Sequence, residues 1–356
     1  MTTAPLFVLD APCYHAVTPG SDETFRGTAL ALDGALLSEL VAYCKGAPIG
    51  RAPVNGESPE LGWIPLPGSS RCRFSFRLTV PRGAPIELRV RDTDGRETPV
   101  FAYDVPFLER EKNRLAALWQ CVQSLPVPTS DVVAVTQGLG NVDDYRASLA
   151  ASFLAAESLL GAAGVGTSGI RSVLDVGCGT GRLLVAWHCD DPERRLVGTD
   201  INPDLVGWCR ANLGSVARWS VNDVRPPLDL AGGTFDLVLF ASVFTHLSLA
   251  NQRAWAAEIR RLLSPGGHAL VTLHGDLYAA ALLRGEEAAT WTREGYVERP
   301  GAAEGANGYT TFHAERFARD LFGDFRRVTW FPRGVPGPVA RQFPVASLQD
   351  VYVLAA

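Results

Sequence analysis

The run DVGCGTG, from Asp175 to Gly181, sets a carboxylate ahead of three glycines at alternate positions. Glycine has no Cβ to hold a ligand away from the main chain, so Gly177, Gly179 and Gly181 allow backbone to approach a bound group closely. Asp175 is left beside the turn to accept hydrogen bonds, and Cys178 reads as a small turn filler rather than a nucleophile. A second carboxylate, Asp200, ends the run RRLVGTD nineteen residues after Gly181, where it can bind two ribose hydroxyls. Asn222 and Asp223 follow at a third strand end, where they serve the same ligand or cap a turn. Ser242 opens the polar turn after a fourth apolar run, FDLVLFA. Of the six histidines, His246 follows that fourth strand and His274 ends the fifth. Either could remove a proton near neutral pH, the range in which an ordinary imidazole titrates, or simply be hydrogen-bonded in a turn. His274 is the first choice, because its place after VTL projects it from the strand end. His268, at the entry end of that strand, is expected to be structural, and His188, far along the first helix from the glycine turn, to face solvent or core.

Such residues need a scaffold that gathers strand ends. Val173 to Val176, RRLVGTD, WSVNDV, FDLVLF and HALVTLHG alternate with helical stretches such as AWAAEIRRLL, which Ser264-Pro265-Gly266-Gly267 stops. This is the rhythm of an open α/β sheet, whose ligands sit outside the carboxyl ends of the strands. Residues 276 to 315 interrupt the rhythm, and an insertion there would lie over the site as an acceptor-specificity lid, with Tyr309 and His313 as acceptor contacts. FRRVTWFP and LQDVYVLAA are the last two strand-like runs, and Gln349 and Asp350 at the start of the second touch the acceptor or tie the strand to a neighbouring loop.

The first 106 residues read differently. TFRGTALAL, SELVAYCKG, RCRFSFRLTV, APIELRVRD and TPVFAYDV are strand-like, with Phe74, Phe76 and Leu78 alternating against Arg73, Ser75 and Arg77 and a D-T-D-G turn at Asp92 to Gly95. Strands without helices imply a small antiparallel β-sandwich. From Phe107 the period becomes helical, Pro126 to Gly140 reads as loop, and VDDYRASLAASFLAAESLLGAAG as a further helix. The expected division is a β-sandwich accessory domain over 1–106, a helical linker or cap over 107–165, and the α/β domain over 166–356.

With 356 residues, 47% hydrophobic and 20% charged, the chain can fill two cores. A net charge of −5 and scattered arginine pairs disfavour a nucleic-acid partner. Lys112 is the last lysine, which excludes a Schiff-base or phosphate-loop lysine from the α/β domain. Seven scattered cysteines without a C-x-x-C pair suggest reduced thiols in a cytoplasm. No secretory signal or membrane span is expected. No carboxylate pair with Asn or His suits a divalent metal, so metal-independent chemistry is expected.

The ordered set VLDVGCGTG, VGTDINPDLVGWCRANL, NDVRPPL, FDLVLFASVFTHL and RRLLSPGGHALVTLHG resembles the class I S-adenosylmethionine-dependent methyltransferases, and most nearly those of bacterial surface-polysaccharide or sugar modification. The resemblance implies a doubly wound, Rossmann-like seven-stranded sheet with S-adenosylmethionine as cofactor. It places Asp175, Gly177, Gly179 and Gly181 along the methionine moiety and Asp200 on the ribose, with Ile201 and Asp223 flanking the adenine and Asp223 accepting its exocyclic amine. The implied reaction is O-methylation of a sugar or glycan-linked hydroxyl. Two other readings are a nicotinamide-dependent oxidoreductase on the same glycine turn and a non-catalytic adaptor that binds cofactor and glycan.

Overall fold

The computed structural model describes residues 5–12, 17–62, 64–137, 142–334 and 348–356. The chain divides into two compact units that part between Gln120 and Cys121, the C-terminal strand belonging to the second.

The first unit holds strands β1 (Leu6–Ala11), β2 (Asp22–Leu30), β3 (Leu37–Cys44), β4 (Ala47–Pro53), β5 (Arg73–Thr79), β6 (Ile86–Asp92) and β7 (Glu97–Tyr103). They form two antiparallel sheets, β1-β2-β5 and β4-β3-β6-β7. In β5 the phenylalanines are buried while Ser75 and Arg77 are exposed, as the period of two requires. Rings from both sheets meet: Phe7 stacks on Phe101 at 5.6 Å, and Phe25 meets Tyr103 edge-on at 5.5 Å. Helix α1 (Val105–Ser124) starts two residues before the expected Phe107, and the Asp104 carboxylate accepts from the Phe107 amide at 3.0 Å. Sequence reading missed β1 and β4. The latter, APIGRAP, is poor in strand formers, and its prolines are tolerated because it is an edge strand.

In the second unit come α2 (Ser130–Gln137), α3 (Val142–Ala162), β8 (Ser172–Val176), α4 (Arg182–Asp190), β9 (Arg195–Asp200), α5 (Pro203–Asn212), β10 (Arg218–Val221), β11 (Phe235–Phe240), α6 (Leu249–Leu262) and β12 (Leu263–Leu273). There follow α7 (Asp276–Leu282), α8 (Gly285–Glu294), β13 (Tyr296–Pro300), β14 (Tyr309–His313), α9 (Glu315–Leu321), β15 (Arg327–Phe331) and β16 (Asp350–Ala355). Helix α2 lies where a loop was expected, the flanking Pro and Gly having hidden it. The end of that stretch, 138–140, is outside the described residues.

Seven strands form one mixed sheet in the order β10-β9-β8-β11-β12-β16-β15. The first five run parallel, while β16 is antiparallel to both neighbours. Every residue of β8 and of β16 is buried, the unbroken pattern of a sheet covered on both faces. Phe240, Phe244, Trp255, Phe322 and Tyr352 form the main core with α6 and α9. Elsewhere Phe153 of α3 meets Trp187 of α4 edge-on at 5.0 Å. Among the described residues no helix is long and apolar enough to cross a membrane.

The expectation of reduced thiols fails at one pair. Cys121, in the last turn of α1, and Cys189, near the end of α4, form a disulfide with Cα atoms 5.5 Å apart, joining positions 68 residues apart in sequence. Scattered helical cysteines carry no spacing signal for such a pair. Closing a loop of that length stabilises the fold by about 4 kcal/mol on the chain-entropy account. Cys121→Ser should therefore lower the melting temperature of the oxidised protein and leave that of the reduced protein unchanged. Thermal scans with and without a thiol reductant decide this, and a wild type indifferent to reductant would refute it.

Candidate active site

The parallel strands grow in one direction from β8 to β10, and the chain then returns to add β11 on the other side of β8. At that reversal the carboxyl ends of β8 and β11 part and leave a crevice. A cavity of about 590 Å³ lies there, lined by the turn after β8, the ends of β9, β10 and β11, and residues 303–307 between β13 and β14.

The glycine turn is left-handed at each of its three glycines. At Gly177, φ is 73° and a Cβ would fall 2.4 Å from Val243 Cγ2, so the two loops that border the crevice can approach only if residue 177 has no side chain. At Gly179 a Cβ would meet nothing within 4 Å, so the open space there belongs to the cavity. The Gly179 amide donates to Asp200 Oδ2 and the Asn202 amide to Asp200 Oδ1, both at 2.8 Å. A carboxylate offers about four acceptor positions, so a diol could still bind Asp200. Gly181 is the N-cap of α4 and is not a cavity-lining residue.

Asp175 is 1% exposed, and its Oδ1 has no hydrogen-bond partner. Burial pushes its pKa up to about 8, opposed by the Arg182 guanidinium and aided by Asp200. Arg182 is a cavity residue that sequence reading missed, because the first residue of a helix after a glycine turn usually points to solvent. Helix α3 holds it: Arg182 donates to Ser152 Oγ, and Tyr145 exchanges a 2.9 Å hydrogen bond with Thr180. Asn222 also lines the cavity, with its Oδ1 buried and unpartnered and its Nδ2 donating to the Asp223 carbonyl at 2.7 Å. Asp223 is exposed and is not a lining residue. Ile201, 40% exposed, and Val224 line the same side. Unpartnered acceptors at Asp175 and Asn222, a carboxylate at a strand end and an open cradle at Gly179 fit a ligand with a cation at one end and a nucleoside at the other.

Ser242 lines the cavity in a left-handed conformation, φ 60°. Its amide donates to Thr272 Oγ1 at 2.7 Å and its hydroxyl to Gln349 Oε1 at 3.1 Å, while Thr272 donates to the same Gln349 oxygen. Of the two expected roles for Gln349, the bonds describe the tie between strand ends. Asp350 likewise accepts from Trp330 Nε1 at 3.0 Å and from the Arg333 amide at 2.8 Å.

The histidines separate. His246 lies in a 3-10 turn, Phe244–His246, and lines the cavity. Its Nδ1 lies 2.7 Å from the Tyr309 carbonyl oxygen. A carbonyl can only accept, so Nδ1 carries the proton and, in the neutral ring, Nε2 keeps the lone pair. His274 is buried, stacked on Tyr278 at 4.2 Å, and absent from the cavity wall. Burial depresses its pKa to about 4, with His246 adding to the fall and the Thr311 backbone opposing it. That makes it a weaker base near pH 7 than an ordinary imidazole. His313 is fully buried, with Nε2 2.9 Å from Gln252 Oε1, and Tyr309 uses its hydroxyl on Glu298. Neither side chain lines the cavity.

With the geometry in hand, residues 173–267 match the methyltransferase domain family. The malonyl-[acyl-carrier protein] O-methyltransferase of Hahella chejuensis is 37% identical over 98 residues, 27% of this chain and 34% of that protein. The protein of the same name from Geobacter sulfurreducens is 33% identical over 144 residues, 40% of this chain and 52% of that protein. The chain spans at most about half the length of these curated relatives. A crystal structure of a Methanosarcina mazei S-adenosylmethionine-dependent methyltransferase has a TM-score of 0.38 at 18% identity, covering 52% of this chain and 91% of its own. The match over residues 173–267 places a methyltransferase domain within the α/β unit. Its cofactor is S-adenosylmethionine.

The Asp175 pKa has a measurable consequence. An unfolded aspartate titrates near pH 4, so the folded chain binds this proton more tightly, and ligand-free stability falls as pH rises from about 4 to about 8. Asp175→Asn should remove that fall, melting higher than wild type at pH 8, while weakening S-adenosylhomocysteine binding. Thermal scans at pH 5 and pH 8 with calorimetry test both halves, and equal pH dependence in the two proteins would count against the assignment.

Proposed function

We propose that this chain transfers a methyl group from S-adenosylmethionine to an oxygen nucleophile, with His246 as general base. The observation that carries this reading is the Nδ1 bond to the Tyr309 carbonyl, which leaves on Nε2 the lone pair of His246, the one histidine that lines the cavity among the described residues. When bound, the cofactor supplies an electrophilic methyl on a sulfonium. The protein's work is then alignment and proton removal. Asp175 would face the cofactor's ammonium group, Asp200 its ribose hydroxyls and Asn222 its adenine amine. Asp223, Ile201 and the turn residues Cys178 and Gly181 complete the binding loops. Ser242, braced by Thr272 and Gln349, fixes the wall between cofactor and acceptor.

The acceptor we propose is a hydroxyl of a sugar, a glycan or a glycosylated small molecule, in the modification of polysaccharide. The resemblance of VFTHL and the QDVYVL ending supports it, and so does a separate N-terminal unit of two facing antiparallel sheets, which we take as a β-sandwich accessory domain over 1–106. Residues 107–165 would form the cap of the catalytic domain 166–356, a reading supported by the α3 bonds to Thr180 and Arg182. The names of the Hahella and Geobacter relatives favour a second acceptor, a carrier-bound malonyl carboxylate. The two acceptors differ chemically, because a carboxylate arrives ionised and gains nothing from a base.

His246→Ala should lower kcat on a hydroxyl acceptor by about 10² to 10⁴ and leave S-adenosylhomocysteine affinity unchanged. Turnover of a sugar panel and of malonyl-carrier protein, followed by mass spectrometry, separates the acceptors, and full activity of His246→Ala on a hydroxyl would sink the base assignment. Calorimetry with S-adenosylhomocysteine and NAD tests the cofactor, and binding of NAD alone would restore the oxidoreductase reading. A chain that binds S-adenosylhomocysteine but methylates nothing on either panel would favour the adaptor.

A further inference from the structure

The insertion after β12 was expected to face the acceptor, yet its tip faces the cofactor cavity. Residues 303–307, between β13 and β14, line the cavity along with Ile201, Asn222 and Val224. At Gly305, φ is +87° and a Cβ would fall 2.7 Å from Ile201 Cδ1 and 3.3 Å from Val224 Cγ2. The tip thus rests on the residues at the nucleoside side of the crevice. Its composition, GAAEGANG over 301–308, leaves little apolar surface to hold it down.

Polar bonds hold it instead. Glu304 Oε1 accepts from the Ser248 amide at 2.6 Å and from Asn251 Nδ2 at 2.7 Å, which sets a carboxylate against the first turn of α6, where the helix dipole favours negative charge. The Gly305 amide donates to the His246 carbonyl at 2.8 Å. The base of the hairpin is fixed independently, since Tyr296 and Tyr309 both donate to Glu298, the former at 2.7 Å. A rigid hairpin therefore ends in a small, mostly exposed tip tied down chiefly through one carboxylate.

We propose that this hairpin is a clasp over the adenosine moiety of the cofactor and that Glu304 is its latch. The clasp rests on the reading of the cavity as the S-adenosylmethionine site. Glu304 is a positioning residue: it acts by holding main chain against Ile201 and Val224, and it sets how fast the nucleoside leaves.

The experiment uses the full chain and compares wild type, Glu304→Ala and Glu304→Gln by calorimetry and stopped-flow displacement, with S-adenosylhomocysteine and adenosine as probes. Glu304→Ala should weaken S-adenosylhomocysteine about tenfold, chiefly by faster dissociation, and weaken adenosine by a similar factor. Glu304→Gln, whose amide oxygen can accept the same two bonds, should recover most of the loss. Asn251→Ala, which removes a latch partner from the α6 side, should shift dissociation in the same direction. Unchanged dissociation in a Glu304→Ala protein that melts like wild type would overturn the clasp, as would a loss for S-adenosylhomocysteine with none for adenosine. If wild type binds neither probe, the cofactor reading fails, a result distinct from a wild type that binds both and a variant that matches it.

Discussion

The polar strand ends that border the cavity are gathered by one topological constraint, the reversal of strand order between β8 and β11. Neighbouring parallel strands normally send their following loops across one another, and the crevice exists because here the two loops leave in opposite directions. Gly177 and Val243 mark how narrow it is: one added carbon on the glycine would collide with the valine. The buried strand interiors give the crevice a stiff floor, and the chemistry is left to the residues at the strand ends.

Around that crevice the charges are arranged unevenly. Asp175 is buried with an unpartnered oxygen, while Asp200 is already engaged by two amides. The first is a destabilising group in the free protein at neutral pH that a cationic ligand would relieve. The second is preorganised by main chain and costs little to use. A buried carboxyl that ionises readily only when a cation faces it favours binding of a cation over a neutral analogue.

Much of this was legible in the sequence, for physical reasons that differ by element. Buried parallel strands are continuous apolar runs, so β8, β9, β11 and β12 could be read with their order and their polar ends. The glycine turn was legible because its left-handed backbone restricts residue type, and Asp200 because it is a carboxylate that ends an apolar strand. The two histidines were harder to tell apart, since His246 and His274 both follow strands. What separates them is burial beneath Tyr278 and a single carbonyl from Tyr309, 63 residues away. Arg182, Glu304 and the Cys121–Cys189 bond were illegible because each depends on a partner from a distant element: α3, α6 or the end of α1.

One feature of the hairpin gives it mechanical meaning. The His313 amide donates to the His274 carbonyl at 2.9 Å, and Phe312 bridges to His274 in parallel register, so β14 is attached to the main sheet at the end of β12. That attachment is a pivot. A strand rises about 3.3 Å per residue, so an arm of five residues reaches roughly 17 Å. Turning such an arm by about 10° moves its far end by about 3 Å, the thickness of an aromatic base. The hairpin is thus a lever whose fulcrum sits beside one histidine and whose tip touches the backbone of the other.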